Sequence, residues 1–97
     1  MARRLGTTAG EPIRVGLVTD IGGLDDRSFN FLANRGLARA EDELGVEGRV
    51  VISKAEADYV PNLTSLAKQD YDLEIAVGFL MANAVDTVAA RYKDVSY

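Results

Sequence analysis

The chain has 97 residues, of which 47% are hydrophobic and 27% charged, a composition typical of a globular protein and a length that allows at most one small domain. Its formal net charge of −4 disfavours nucleic acid as a partner, because phosphate binding depends on clustered lysine and arginine. Neither cysteine nor histidine occurs, which excludes disulfides, thiolate catalysis, zinc sites built from these residues and Ser-His-Asp hydrolysis.

The amino-terminal segment, residues 1–12, is a polar leader. It has no apolar stretch, so no secretory signal is visible in it. No run of about 18 apolar residues follows, so no segment is predicted to span a bilayer. Residues 13–19 are apolar and rich in β-branched side chains, which predicts a strand buried on both faces. The glycines and aspartates of residues 20–27 then predict a loop.

Helices and strands are predicted to alternate after this loop. Residues 28–44 have the apolar spacing of a helix, which Gly45 ends. The predicted core-facing stripe of this helix consists of Phe29, Leu32, Ala33, Gly36, Ala40 and Leu44. The later segments predict a second strand at residues 50–52 and a second helix around Pro61. A third strand follows at 73–77, a third helix at 80–92 and the start of a fourth strand at 95–97.

This alternation indicates βαβ units, so the predicted fold class is α/β, with a parallel sheet between two helical layers. Right-handed crossovers place the strand-to-helix loops at one edge of the sheet, where ligands of open α/β folds bind. The loops expected there are residues 20–27, 53–60 and 78–79. Three strands with an unpaired edge are an unfavourable place to stop, so we expect the 97 residues to be part of a longer chain.

The first loop carries three carboxylates, those of Asp20, Asp25 and Asp26. Its glycines match neither the dinucleotide-binding pattern nor the P-loop, and clustered carboxylates would repel a phosphate. Ionised carboxylates only accept hydrogen bonds, so a neutral ligand with hydroxyl or amine donors suits this loop better. Asp20 directly follows the strand, a position commonly functional in α/β folds. For Asp25 and Asp26, helix capping remains an alternative to ligand binding.

Two further candidates begin the helix after this loop. Phe29 lies in the first helical turn, where its ring either packs in the core or stacks on a planar ligand at the sheet edge. Asn30 can donate and accept hydrogen bonds, which suits the edge of a heterocycle, although a polar residue in a first turn is often simply solvated.

The residues of this loop resemble a known family signature. Residues 15–30 are similar to the opening of the basic membrane protein family of ABC-transporter substrate-binding lipoproteins, the purine nucleoside receptor group. Residues 58–63, DYVPNL, resemble the family's DYxPNL segment, and residues 71–80, YDLEIAVGFL, resemble its YDLIIGVGFL segment. The three motifs occur in the family's order and spacing, and the likeness extends over residues 13–97.

The resemblance implies a binding protein without enzymatic activity, cofactor or metal site, which captures nucleosides, purine nucleosides in particular, and delivers them to an ABC permease. It implies that Asp20 hydrogen-bonds the nucleoside, that Phe29 stacks on the base and that Asn30 also contacts it. The fold position of Gly78 and Phe79 puts them on a loop near the cleft.

The resemblance also implies where the protein resides and how it is built. Residues 13–97 would be the first part of lobe 1 of a type I periplasmic-binding-protein-like fold, with the second lobe absent. The location would be extracytoplasmic, with contact to the membrane only through a lipid anchor. The family's lipobox cysteine has no counterpart in the chain.

Two other functions remain as alternatives. A receiver-like signalling module would bind Mg²⁺ in the acidic loop, but it needs a phosphoacceptor aspartate after the third strand, where residues 77–79 read Val-Gly-Phe. A metal-dependent nucleoside hydrolase would hold a divalent ion through Asp20, Asp25 and Asp26. No general acid accompanies these aspartates.

Overall fold

The computed structural model describes residues 12–24 and 28–97. Its strands are β1, Arg14–Thr19; β2, Glu47–Ile52; and β3, Leu73–Ala76. They form a parallel sheet in the order β2-β1-β3, so the first strand of the chain lies in the middle. Ser96 forms a parallel bridge with Leu73 on the outer side of β3, at the position predicted for the start of a fourth strand.

The helices are α1, Phe29–Leu44; α2, Tyr59–Lys68; and α3, Ala82–Arg91. Short 3-10 turns, Glu56–Asp58 and Phe79–Met81, precede α2 and α3. Helix α1 packs on one face of the sheet and helices α2 and α3 pack on the other. The predicted α/β fold with two helical layers around a parallel sheet is therefore confirmed.

Alternation of side chains along β1 separates the two layers of the core. Val15 and Leu17 face α1, where they pack with Leu37. Val18 faces the opposite layer, where it joins the buried side chains of α2 and α3. All residues of β1 after Arg14 are buried, which confirms the prediction of a strand covered on both faces.

The predicted inner stripe of α1 is wrong in part. Phe29, Leu32, Gly36 and Leu44 are exposed, whereas Leu37, which was not assigned to the stripe, is buried. The reason is that α1 packs mainly against β1 and β2 and covers little of β3. Much of the stripe therefore lines an open groove of about 480 Å³ instead of a closed core.

Several boundaries also differ from the prediction. Strand β2 begins at Glu47 instead of residue 50, because its polar first half is drawn into the sheet by pairing with β1 from Arg14 onward. The third helix is preceded by the separate 3-10 turn at Phe79–Met81. Helix α1 ends as predicted, with Gly45 in the left-handed conformation at φ 73°.

Candidate functional site

The carboxyl ends of β1 and β3 meet the amino-terminal end of α1 at one edge of the sheet. Together they border an open cavity of about 450 Å³, which we call the carboxyl-edge cavity; its lining residues are Asp20, Phe29, Ala76, Val77, Gly78 and Phe79. The parallel strands and their crossovers thus bring the loops after β1 and β3 together, as the sequence predicted.

Asp20 holds its carboxylate in a fixed orientation at the floor of this cavity. Its Oδ1 accepts a hydrogen bond from the side-chain amide of Asn30 at 2.7 Å and another from the backbone N–H of Gly22 at 2.9 Å. The bond from Gly22 makes the aspartate the first residue of an Asx turn. Two donors on one oxygen fix the plane of the carboxylate, so the other oxygen has a defined direction.

Two phenylalanine rings border the cavity and are exposed to solvent. Phe29, the first residue of α1, is 75% exposed, and Phe79, in the turn after β3, is 90% exposed. Of the two alternatives for Phe29, packing in the core is therefore excluded. Exposed aromatic rings gathered at a concave edge are typical of a ligand or partner surface, where a planar group can cover them.

Asn30 is buried beneath this edge, with only 1% of its surface exposed. Its amide nitrogen donates to Asp20, so it links the first turn of α1 to the end of β1. This gives Asn30 a role in orienting Asp20 that the sequence did not suggest, because the position of the aspartate relative to the helix is a tertiary feature.

Tyr59 supports the same loop from below. Its ring is buried, and its hydroxyl accepts a hydrogen bond of 3.3 Å from the backbone N–H of Ile21. The loop at residues 53–60, which was expected at this edge, therefore acts as a support and is not among the described residues that line the cavity. Sequence reasoning did not assign Tyr59 this role, because its contact with a loop 38 residues away is a tertiary feature.

The structure describes only part of the acidic loop that was predicted at residues 20–27. Asp25 and Asp26 lie outside the described residues, as does most of the leader at residues 1–12. Within the described ranges, no three acidic side chains come close enough to hold a metal ion. In the same ranges, none of the helices combines the length and apolar character needed to cross a membrane.

Comparison with known proteins adds independent information. Residues 13–97 match the family model for Bmp proteins, described as PnrA-like ABC transporter substrate-binding proteins. The chain is 43% identical over 88 residues to an uncharacterized lipoprotein of Pyrococcus furiosus, an alignment that covers 90% of this chain and 22% of the relative. It is 33% identical over 81 residues to the ABC transporter nucleoside-binding protein BmpA of Lactococcus lactis, covering 79% of this chain and 23% of that protein.

The fold has a solved counterpart as well. A crystal structure of an ABC transporter system solute-binding protein from Aeropyrum pernix superposes with a TM-score of 0.81 at 37% sequence identity, covering 89% of this chain and 24% of that one. The chain thus spans about a fifth to a quarter of the length of these relatives.

Proposed function

The chain belongs to the Bmp family of PnrA-like ABC transporter substrate-binding proteins, and on this basis we propose that its carboxyl-edge cavity is one wall of a nucleoside-binding cleft. The family and the fold make the chain part of a solute-binding protein that serves an ABC transporter. The finer assignment to nucleosides, and to purine nucleosides in particular, is our proposal, as is the absence of enzymatic activity.

The observation that carries the proposal is the pairing of an exposed ring with an oriented carboxylate in one cavity. The Phe29 ring can stack on a nucleobase, with ring centroids about 4.5–7 Å apart, while Asp20 accepts a hydrogen bond from an N–H or O–H group. The cavity volume of about 450 Å³ lies within the range of small-molecule sites. A relative named as a nucleoside-binding protein supports this choice of ligand.

We further propose that residues 13–97 form the first part of lobe 1 and that a second lobe supplies the opposite wall. The cavity is open to solvent, whereas sites of this kind bury about 70–90% of their ligand. Closure of two lobes about a hinge would provide that burial. Several relatives are named lipoproteins, which supports a lipid anchor and an extracytoplasmic location for the complete protein.

The test is isothermal titration calorimetry, in which guanosine or inosine is added to the longest polypeptide that the gene encodes. We expect tight binding and recovery of the nucleoside unchanged. Phe29→Ala should weaken binding by roughly 5- to 150-fold, because stacking on one base contributes about 1–3 kcal/mol. The matched control is Phe31→Ala, which removes a ring from the same helix outside the cavity.

Other outcomes would contradict the proposal. Recovery of free base and ribose would favour the nucleoside hydrolase, and a stable adduct after treatment with Mg²⁺ and acetyl phosphate would favour the receiver-like module. We also expect the 97 residues alone to bind nucleosides weakly, because they provide one wall of the cleft. A soluble monomer of this length with micromolar affinity for guanosine would contradict the need for a second lobe.

A further inference from the structure

The two oxygens of the Asp20 carboxylate have different surroundings. Oδ1 accepts both of the hydrogen bonds described above, from Asn30 and Gly22. Oδ2 accepts none from residues 12–24 or 28–97 and lies beside the backbone of Gly78. A Cβ atom added to Gly78 would lie 2.5 Å from this oxygen and 3.1 Å from the carboxylate carbon. Side-chain carbon atoms do not approach an oxygen so closely, so a side chain at position 78 would displace the carboxylate.

Gly78 is held in this place by the sheet. The N–H of the preceding residue, Val77, donates a hydrogen bond of 3.1 Å to the carbonyl of Val18, so the end of β3 is tied to the end of β1. The carbonyl of Gly78 accepts a bond of 3.0 Å from the backbone N–H of Met81, the last residue of the following 3-10 turn. Its φ of 112° lies in the region that favours glycine. The backbone at Gly78 therefore cannot easily retreat from Asp20.

We infer that Gly78 is a positioning residue for ligand recognition: by lacking a side chain, it leaves Oδ2 of Asp20 open to the carboxyl-edge cavity. The inference rests on the proposed function and adds a chemical requirement to it. One open carboxylate oxygen, with its partner oxygen already engaged, receives a hydrogen-bond donor of the ligand, such as a hydroxyl or N–H group of a nucleoside. A ligand that presents an acceptor or a phosphate at this point is excluded by repulsion.

The experiment compares Gly78→Ala with Gly45→Ala in the longest polypeptide that the gene encodes, titrated with guanosine and inosine. Gly45 also has a positive φ, 73°, but a Cβ there would meet nothing within 4 Å, so its variant places a side chain at a positive φ without touching Asp20. We expect Gly78→Ala to weaken binding about 10- to 100-fold, the loss expected for a charge-assisted hydrogen bond, and Gly45→Ala to change it by less than about twofold.

A double variant separates positioning from general damage to the fold. In an Asp20→Ala background the carboxylate is gone, so Gly78→Ala should weaken binding by less than about a further twofold. Equal losses in both backgrounds, or a single Gly78→Ala variant that binds within twofold of the parent, would overturn the inference while leaving nucleoside binding intact. Failure of the parent protein to bind any nucleoside would overturn the proposed function, and the inference with it.

Thermal unfolding keeps the inference testable if the single variant does not fold. Asp20→Ala removes the two atoms that a methyl group at position 78 would approach most closely, so Asp20→Ala/Gly78→Ala should fold and should unfold at a higher temperature than Gly78→Ala alone. A double variant that fails to fold, or that unfolds no higher than Gly78→Ala, would contradict a direct contact between the two positions.

Discussion

The two faces of the sheet differ in how completely they are covered. On one face, α2 and α3 bury a continuous cluster that includes Val18, Leu63, Leu66 and Val88. On the other face α1 alone covers β1 and β2, and beside β3 it leaves the groove of about 480 Å³ described above. We call the α2–α3 face the closed face and the α1 face the open face. Most of the buried apolar side chains that stabilise the fold lie on the closed face, whereas the open face leaves apolar surface uncovered.

The largest difference should appear when leucines are truncated on the two faces. Leu63 is fully buried on the closed face, so Leu63→Ala should lower the free energy of unfolding by about 2–5 kcal/mol. Leu32, on the helix that covers the open face, is 59% exposed, so Leu32→Ala should lower it by about 0.5 kcal/mol or less. Urea unfolding of both variants measures the contrast, and similar losses would show that the two faces contribute alike.

The closed face also contains a buried acid whose ionisation should make stability depend on pH. Glu74, on β3, is 1% exposed, and neither carboxylate oxygen has a well-aligned donor among the described residues. Burial raises the pKa of Glu74 from 4.5 to about 7, and the nearby Tyr97 hydroxyl offsets only part of that rise. Burial and the neighbouring Glu74 likewise raise the pKa of Tyr97 above its usual value.

The sign of this pH dependence follows from which state holds the proton. Below pH 4.5 the folded and unfolded chains both carry a protonated Glu74, and its contribution to stability is complete. Between about pH 4.5 and 7 only the folded chain retains the proton, so the free energy of unfolding should fall as pH rises, by on the order of 2 kcal/mol. Glu74→Gln should flatten this slope in urea unfolding from pH 4.5 to 8, and an unchanged slope would assign it to other groups.

The smallest expected effect is that of adding a methyl group to a glycine, which should change stability in opposite directions on the two faces. A Cβ at Gly16 would lie 2.6 Å from a methyl group of Leu66 on the closed face, so Gly16→Ala should cost about 1–3 kcal/mol through overpacking. Gly36, within α1, has nothing within 4 Å of such an atom, so Gly36→Ala should gain about 0.5–1 kcal/mol of helix stability. The melting temperatures of the two variants should move in opposite directions, and a loss in both would contradict the contrast between the two faces.

Much of the architecture could be predicted from the sequence because its signals are local. The apolar run of β1, the turn residues after it and the alternation with helices were enough to place Asp20, Phe29 and Gly78 at one sheet edge. Helical spacing, by contrast, shows which residues of α1 share a face but not whether another element covers them. The stripe was therefore assigned to the core, although Leu37 is the apolar residue of α1 that the structure buries.

The finer features of the site depend on distances that spacing does not reveal. A polar residue in a first helical turn is usually solvated, and only the relative placement of β1 and α1 shows Asn30 to be buried against Asp20. Similarly, Gly78 reads in the sequence as one loop glycine among several. Its importance follows from the close approach of the loop after β3 to Asp20 in the loop after β1, two loops that are far apart along the chain.

The hydrogen bond between Asn30 and Asp20 limits how the ligand specificity of the site could change. Phe29 and Asn30 are neighbours in the first turn of α1, where successive side chains are about 100° apart around the helix axis. Turning the helix to redirect the aromatic ring would therefore also pull the amide away from the carboxylate. The Phe29 ring and the Asp20 carboxylate therefore have a fixed orientation relative to each other. A change of ligand specificity would have to come from substituting one of these side chains, because rotating the helix would disturb both.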